Sequence, residues 1–155
     1  MNLYLDASAL VKRYIREPGS AEVNDGVSEA AYVATVSLSR VEVAAALAKG
    51  VRTGAVERET AGEALRAVRT EWSDFAKVEV SEALIGRADT LAWDYRLRGY
   101  DAVQLAAALL WQESLGESVT FGAFDLQLWN AALKQELILF PKKLPDLIAK
   151  WRERA

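Results

Sequence analysis

Four acidic residues stand where the chain passes from one apolar segment to the next: Asp6, Glu42, Asp101 and Asp125, separated by 36, 59 and 24 residues. Carboxylates with water are the preferred ligands of hard divalent cations such as Mg²⁺ and Mn²⁺. Two such cations held roughly 3.5–4 Å apart can activate water and stabilise a leaving oxygen without any imidazole. The chain has no His and no Cys. That removes disulfides, thiol nucleophiles, Ser-His-Asp triads and nearly every zinc site. An enzyme of this composition must work with carboxylates, hydroxyls, Lys, Arg, Tyr or a bound metal. Like charges crowded into a cleft raise one another's pKa, so a site built from these acids must hold protons or cations.

Structural alternatives exist for three of the four. Glu42 stands three residues after Ser39, the spacing of a helix capping box. Asp101 and Asp125 could each be an ordinary helix cap. Asp6 directly follows a short apolar strand and has few structural reasons to be acidic.

The elements that must position these residues can be read from the same chain. Asn2–Leu5 is a short apolar strand. From Ala9 the pattern turns helical, with Leu10, Val11, Tyr14 and Ile15 on one face, until Pro18-Gly19 stops it. Ser20 caps a second short helix reaching Ala30, and Tyr32 to Val36 reads as a strand. A helix follows from Ser39 to about Arg52, with Gly54 beyond it. Ala61, Leu65, Val68, Trp72 and Phe75 then trace an apolar stripe at helical spacing that should pack inward. Lys77 to Val80 is a third strand, and Ser81 caps a helix that Gly99 breaks. Asp101 heads an apolar helix ending near Gly116. Ser118 to Phe124 is a fourth strand, and Leu137 to Phe140 a fifth, before a last helix opened by Pro145. Alternating short strands and helices imply an α/β fold with a mainly parallel sheet. In such a sheet the strand C-termini share one edge, where ligands bind. The fold thereby gathers the four acids onto one face.

These positions also carry a family resemblance. Leu5-Asp6-Ala7-Ser8-Ala9-Leu10 resembles the opening motif of PIN-domain ribonucleases, specifically the VapC toxins of toxin–antitoxin pairs. Ser39-Arg40-Val41-Glu42-Val43 is similar to their second motif, Tyr100-Asp101-Ala102-Val103-Gln104 to the third, and Gly122-Ala123-Phe124-Asp125-Leu126 to the fourth. The resemblance runs in order from Leu5 to Ala132. It implies a PIN-like α/β/α sandwich formed by residues 1–155 as a single PIN domain. It implies Asp6, Glu42, Asp101 and Asp125 as catalytic residues and metal ligands for Mg²⁺ or Mn²⁺. It further implies cleavage of RNA phosphodiesters, neutralisation by a cognate VapB-like antitoxin, and a homodimer. Ser8 would place a hydroxyl near the site or cap a helix. Three residues depart from the family pattern: Ala7 and Ala123 stand where hydroxyls are common, and Gln104 replaces the usual His. Such losses around a metal site can weaken it, which leaves a catalytically weak PIN-like RNA- or protein-binding module as the alternative. A phosphoacceptor receiver domain also gathers acids at a sheet edge, but it expects an acidic pair after the first strand and an Asp after the third. Here a single Asp6 and Val80-Ser81 stand at those places.

Composition sets the remaining bounds. The chain has 155 residues, 52% hydrophobic and 26% charged, as in a packed globule of one domain. Its longest apolar runs, such as Leu105 to Trp111, are far below the ~20 residues that span a bilayer, so no membrane is expected. No basic segment followed by an apolar stretch opens the chain, and the cytoplasm is the expected compartment. A net charge of −3 argues against a bulk electrostatic grip on nucleic acid. Lys12, Arg13, Arg16, Arg40, Arg96 and Arg98 flank the acidic motifs and are the candidates for phosphate contacts. The five Trp residues read as core or interface, with Trp72 and Trp151 the candidates for a dimer or antitoxin surface.

Overall fold

The apolar opening forms strand β1 (Asn2–Leu5), buried along its whole length, in a computed structural model that describes residues 1–155. Burial on both faces explains the continuous apolar run. Leu3 and Leu5 enter one core and Tyr4 the other. β1 pairs with β2 (Tyr32–Val36) on one side and β4 (Val119–Gly122) on the other. β3 (Ala76–Val78) and β5 (Ile138–Phe140) complete the order β3-β2-β1-β4-β5. Every pairing is parallel. The chain moves outward from β1 through β2 and β3, then returns to β4 on the opposite side. The crevice between β1 and β4 is therefore the topological switch point.

Helices cover both faces, so the fold is an α/β/α sandwich. On one side α1 (Ala7–Lys12), α2 (Ser20–Glu29), α3 (Ser39–Arg52) and α4 (Arg58–Glu71) pack on Leu3 and Leu5. On the other, α5 (Glu82–Tyr95), α6 (Gly99–Leu115), α7 (Leu126–Lys134) and α8 (Leu144–Arg154) enclose Tyr4, Val36 and Phe121. α6 is buried without a break from Ala102 to Leu109, which accounts for its apolar composition. No helix is long and apolar enough to cross a membrane.

The apolar stripe behaves as its spacing demands: Ala61, Val68 and Phe75 are buried and Leu65 is half-buried. α4 ends at Glu71, and a 3₁₀ turn over Trp72–Asp74 still delivers Phe75 inward. Several boundaries differ from the sequence expectation. α1 ends at Lys12, well before Pro18, and Ser20 lies inside α2, behind its cap Gly19. The Ser20 hydroxyl instead donates to the Ile15 carbonyl and accepts from the Glu17 amide, closing the turn between the two helices. Gly99 opens α6 instead of ending α5, which stops at Arg96 in a left-handed conformation.

Two glycines make opposite demands. A Cβ at Gly122 would sit 2.7 Å from Leu5 Cδ2 and 3.2 Å from the Tyr4 carbonyl, at the central strand pairing. One at Gly86, on the exposed side of α5, would meet nothing within 4 Å. Gly122→Ala is expected to destabilise the chain by about 1–3 kcal/mol through overpacking. Gly86→Ala should stabilise it by about 0.5–1 kcal/mol through helix propensity. Urea unfolding of both variants measures this, and shifts of the same sign would contradict the close approach at Gly122.

Candidate active site

Asp6 ends the central strand and caps the helix after it. Its Oδ1 accepts from the Ala9 amide at 2.7 Å, and the Ser8 hydroxyl lies 2.7 and 2.9 Å from the two carboxylate oxygens. The Asp6 amide donates to the Gly122 carbonyl at 3.0 Å, which pins it beside β4. Ser8 also accepts from the Phe124 amide at 3.1 Å, tying α1 to the segment that carries Asp125. Ser8 is thus a neighbour of the acids, and the capping role belongs to Asp6.

The other three acids reach the same edge from separate elements. Asp125 caps α7, accepting from the Leu128 amide at 2.9 Å. Asp101 lies in the first turn of α6, and the Arg98 guanidinium stands 3.5 Å from its carboxylate and 3.8 Å from that of Asp125. Glu42, in the first turn of α3, accepts from Gln104 Nε2 at 2.9 Å. The capping box with Ser39 does not form. A side-chain cap needs extended backbone at the residue before the helix, but Leu38 is already helical there and Ser39 is turned into the core.

The charges sense one another. Asp6 is only 2% exposed, and burial pushes its carboxyl up to about 7 despite the bonds from Ser8 and Ala9, with Asp101 and Glu42 adding repulsion. Burial also raises Glu42, with Asp101 adding to the rise against the Gln104 bond. Asp101 is raised by burial and by Asp125, against the pull of Arg98. Asp101 therefore couples to the other three acids. No three of them close into a ready-made ligand cage; each is turned toward its own donor. The donor set is carboxylate oxygen throughout, as hard divalent cations prefer, and such cations commonly keep several waters beside one or two carboxylates. The residues present fit such a cation.

Of the basic candidates, only Arg98 touches the acids. Lys12 is engaged by Glu17 and the Pro18 carbonyl, both at 2.9 Å, and Arg13 by Glu71 at 2.8 Å. Arg40 lies 5.9 Å from the Trp72 ring, while Arg16 and Arg96 are exposed. Trp72 is half-buried against the α1–α4 core and Trp151 half-buried where it stacks on Phe124 at 6.1 Å, so both keep an exposed side, while Trp93, which the sequence did not single out, is 87% exposed. Sequence reasoning also missed Tyr4 and Thr35 and read Ser39 only as a cap; all three are buried residues with polar groups behind Glu42. It saw Gln104 only as a departure. A lone amide within the apolar run Ala102 to Trp111 was the signal available.

Residues 3–122 match the family model described as PIN domain. Two curated Mycobacterium tuberculosis relatives are each 36% identical over a 110-residue alignment that covers 69% of this chain and 74% of theirs. They are Ribonuclease VapC45 of strain CDC 1551 / Oshkosh and Ribonuclease VapC49 of strain ATCC 25618 / H37Rv. Among solved structures, PAE2754 from Pyrobaculum aerophilum matches with a TM-score of 0.62 at 23% identity, over 96% of this chain and 98% of that one. A toxin–antitoxin complex from Klebsiella pneumoniae matches with a TM-score of 0.53 at 18% identity, over 77% and 84%. At these identities the two structures speak to the fold.

The raised Asp6 carboxyl has a consequence for stability. The folded protein holds this proton up to about pH 7, whereas the unfolded chain releases it near 3.8. Between those values the native state binds more protons, so stability falls as pH rises. In chelator, the wild type is expected to lose up to roughly 4 kcal/mol of this contribution between pH 4 and 8. Asp6→Asn should flatten that part of the profile and be the more stable protein at pH 8. Denaturant melts across the range measure it, and a variant with the wild-type slope would place the titration elsewhere.

Proposed function

The chain belongs to the PIN-domain family, in its VapC branch, and on that footing we propose that it is a metal-dependent endoribonuclease acting as a VapC-type toxin. One observation carries this reading: Asp6, Glu42, Asp101 and Asp125, far apart in sequence, lie within electrostatic reach of one another through Asp101, with the buried Asp6 at the switch point of a parallel sheet. The ribonuclease names of the two curated relatives support RNA as substrate. The Klebsiella complex supports an antitoxin partner, here a cognate VapB-like protein, met in the cytoplasm. Residues 1–155 would act as one PIN domain, and a homodimer is the assembly we propose.

In this reading the four acids hold Mg²⁺ or Mn²⁺. When bound, the cation would polarise the phosphate and make water a competent nucleophile near neutral pH. The chain's own part is positioning. Ser8 and the Ala9 amide fix the Asp6 carboxylate, Gln104 holds Glu42, and the Leu128 amide holds Asp125. Arg98, its side chain 81% exposed, is free to leave the acids and meet an RNA phosphate.

The decisive experiment is cleavage of a mixed RNA pool in Mg²⁺ or Mn²⁺ and in chelator. Wild type should cut only with metal. Asp6→Asn should lose more than ~100-fold in cleavage and bind Mn²⁺ more weakly, since an amide oxygen is a poorer ligand for a hard cation. Wild-type cutting by that variant would remove Asp6 from the site. A folded wild type that binds RNA without cutting it would instead indicate the binding module. Growth arrest on expression, relieved by the cognate antitoxin, tests the toxin assignment.

Arg98 gives a prediction of mixed sign. Arg98→Gln removes a cation that competes for Asp101 and Asp125, so Mn²⁺ should bind about two- to five-fold more tightly, the scale of an exposed ion pair. KM for RNA should rise over the same change. Calorimetry and initial rates on one preparation read both, and parallel weakening of metal and RNA binding would contradict the dual role.

A further inference from the structure

Behind Glu42 lies a buried polar chain that the four acids alone do not explain. Gln104 is 1% exposed and sits on α6, three residues after Asp101. Its Nε2 lies 2.9 Å from Glu42 Oε1 and 2.9 Å from Ser39 Oγ, and its Oε1 lies 2.8 Å from the Tyr4 hydroxyl. Thr35 Oγ1 stands 2.6 Å from Ser39 Oγ and 2.7 Å from the Leu5 carbonyl.

The donors in this chain can be assigned. An ionised Glu42 only accepts, so the amide NH₂ must face it, leaving the amide oxygen to receive the Tyr4 proton. The second amide hydrogen goes to Ser39. Each hydroxyl carries a single proton, so Thr35 gives its own to Leu5 and Ser39 gives its own to Thr35. Every member is then satisfied, consistent with the absence of unpartnered buried side-chain polar atoms. The chain runs in one sense from Gln104 to the carbonyl that immediately precedes Asp6. One amide thus joins the helix bearing Asp101, the helix bearing Glu42 and the strand that ends at Asp6.

We propose that Gln104 is a positioning residue that holds the Glu42 carboxylate toward the cation site and locks the elements carrying Asp6 and Asp101 around it. This inference rests on the metal-nuclease reading above. Joining Tyr4 to Glu42 requires a side chain that accepts at one end and donates at the other, the bond to Ser39 being additional. A shorter amide cannot reach both, whereas a neutral imidazole offers one nitrogen of each kind.

The test is a double-mutant cycle on the full chain, with Mn²⁺ affinity measured by calorimetry alongside kcat and KM for RNA. Gln104→Met should weaken Mn²⁺ about 10- to 100-fold, the range for residues that orient a metal ligand, and lower kcat with KM for RNA unchanged. Glu42→Gln should do the same. The double variant should be no weaker than Glu42→Gln, because the amide acts through that carboxylate. Gln104→His should recover affinity to within about three-fold of wild type, and Gln104→Asn should not. If Gln104→Met does not fold, the His and Asn variants decide the matter by that same contrast. Additive losses in the cycle, or wild-type Mn²⁺ affinity in Gln104→Met or Gln104→Asn, would overturn the role of Gln104 while wild-type cleavage leaves the nuclease reading standing. A wild type that neither binds Mn²⁺ nor cuts RNA would sink both.

Discussion

Negative charge concentrated at one edge of the sheet is the constraint around which this molecule is arranged. Ionised carboxylates in a cleft repel one another, and burial weakens the hydration that would otherwise stabilise them. The chain answers with a separate donor for each. Asp6 has the Ser8 hydroxyl and the Ala9 amide, Glu42 has Gln104, Asp125 has the Leu128 amide, and Arg98 bridges Asp101 and Asp125. Those donors come from the opening turns of α1 and α7, from the second turn of α6 and from the residue just before α6. Asp6 and Asp125 serve at once as helix caps and as members of the acidic cluster. At Asp125 the capping alternative and the functional reading are thus compatible, and at Asp6 capping is a structural role that the sequence reading did not expect.

The strand pairing beneath the cluster is correspondingly tight. β1 and β4 are buried throughout, and their register places Leu5 opposite Gly122. A side chain at Gly122 would press on Leu5, the residue immediately before Asp6. Gly19 performs a related service at the turn between α1 and α2. Its left-handed backbone and missing side chain admit the Phe124 ring, on which Trp151 also stacks. Packing at the α1–α2 turn and on α8 thereby reaches the segment that carries Asp125.

The basic residues divide by what already holds them. Lys12 and Arg13 are committed to Glu17 and Glu71, and the Tyr14 hydroxyl adds a further bond to Glu71 at 2.9 Å. They brace α1 against its neighbours. Arg98 is different because its partners are the acids themselves and its side chain stays in solvent, where an ion pair contributes little and exchanges readily. A chain of net charge −3 thus presents an exposed cation directly beside its acidic cluster.

Much of this was legible before any coordinates. The lack of His and Cys restricts the chemistry to oxygen ligands, and the alternation of short strands with helices specifies a parallel sheet whose C-terminal edge must receive Asp6 and Asp125. Apolar periodicity and element order are local properties, and local sequence carries them. The partners of the acids are not local. Glu42 meets Gln104 across 62 residues, and Ser8 meets Phe124 across 116. Ser39 and Glu42 have the spacing of a capping box, yet the helical backbone at Leu38 and the bond from Gln104 send both side chains elsewhere. Trp72 and Trp151 acquire packing partners on one side only in the folded chain, and Trp93 emerges as the exposed indole only once α5 has chosen its buried face. The residue types alone determined which chemistry this protein can do. Which donor holds each acid was decided by tertiary structure, because a hydrogen bond between distant segments depends on strand order and helix rotation that no local pattern specifies.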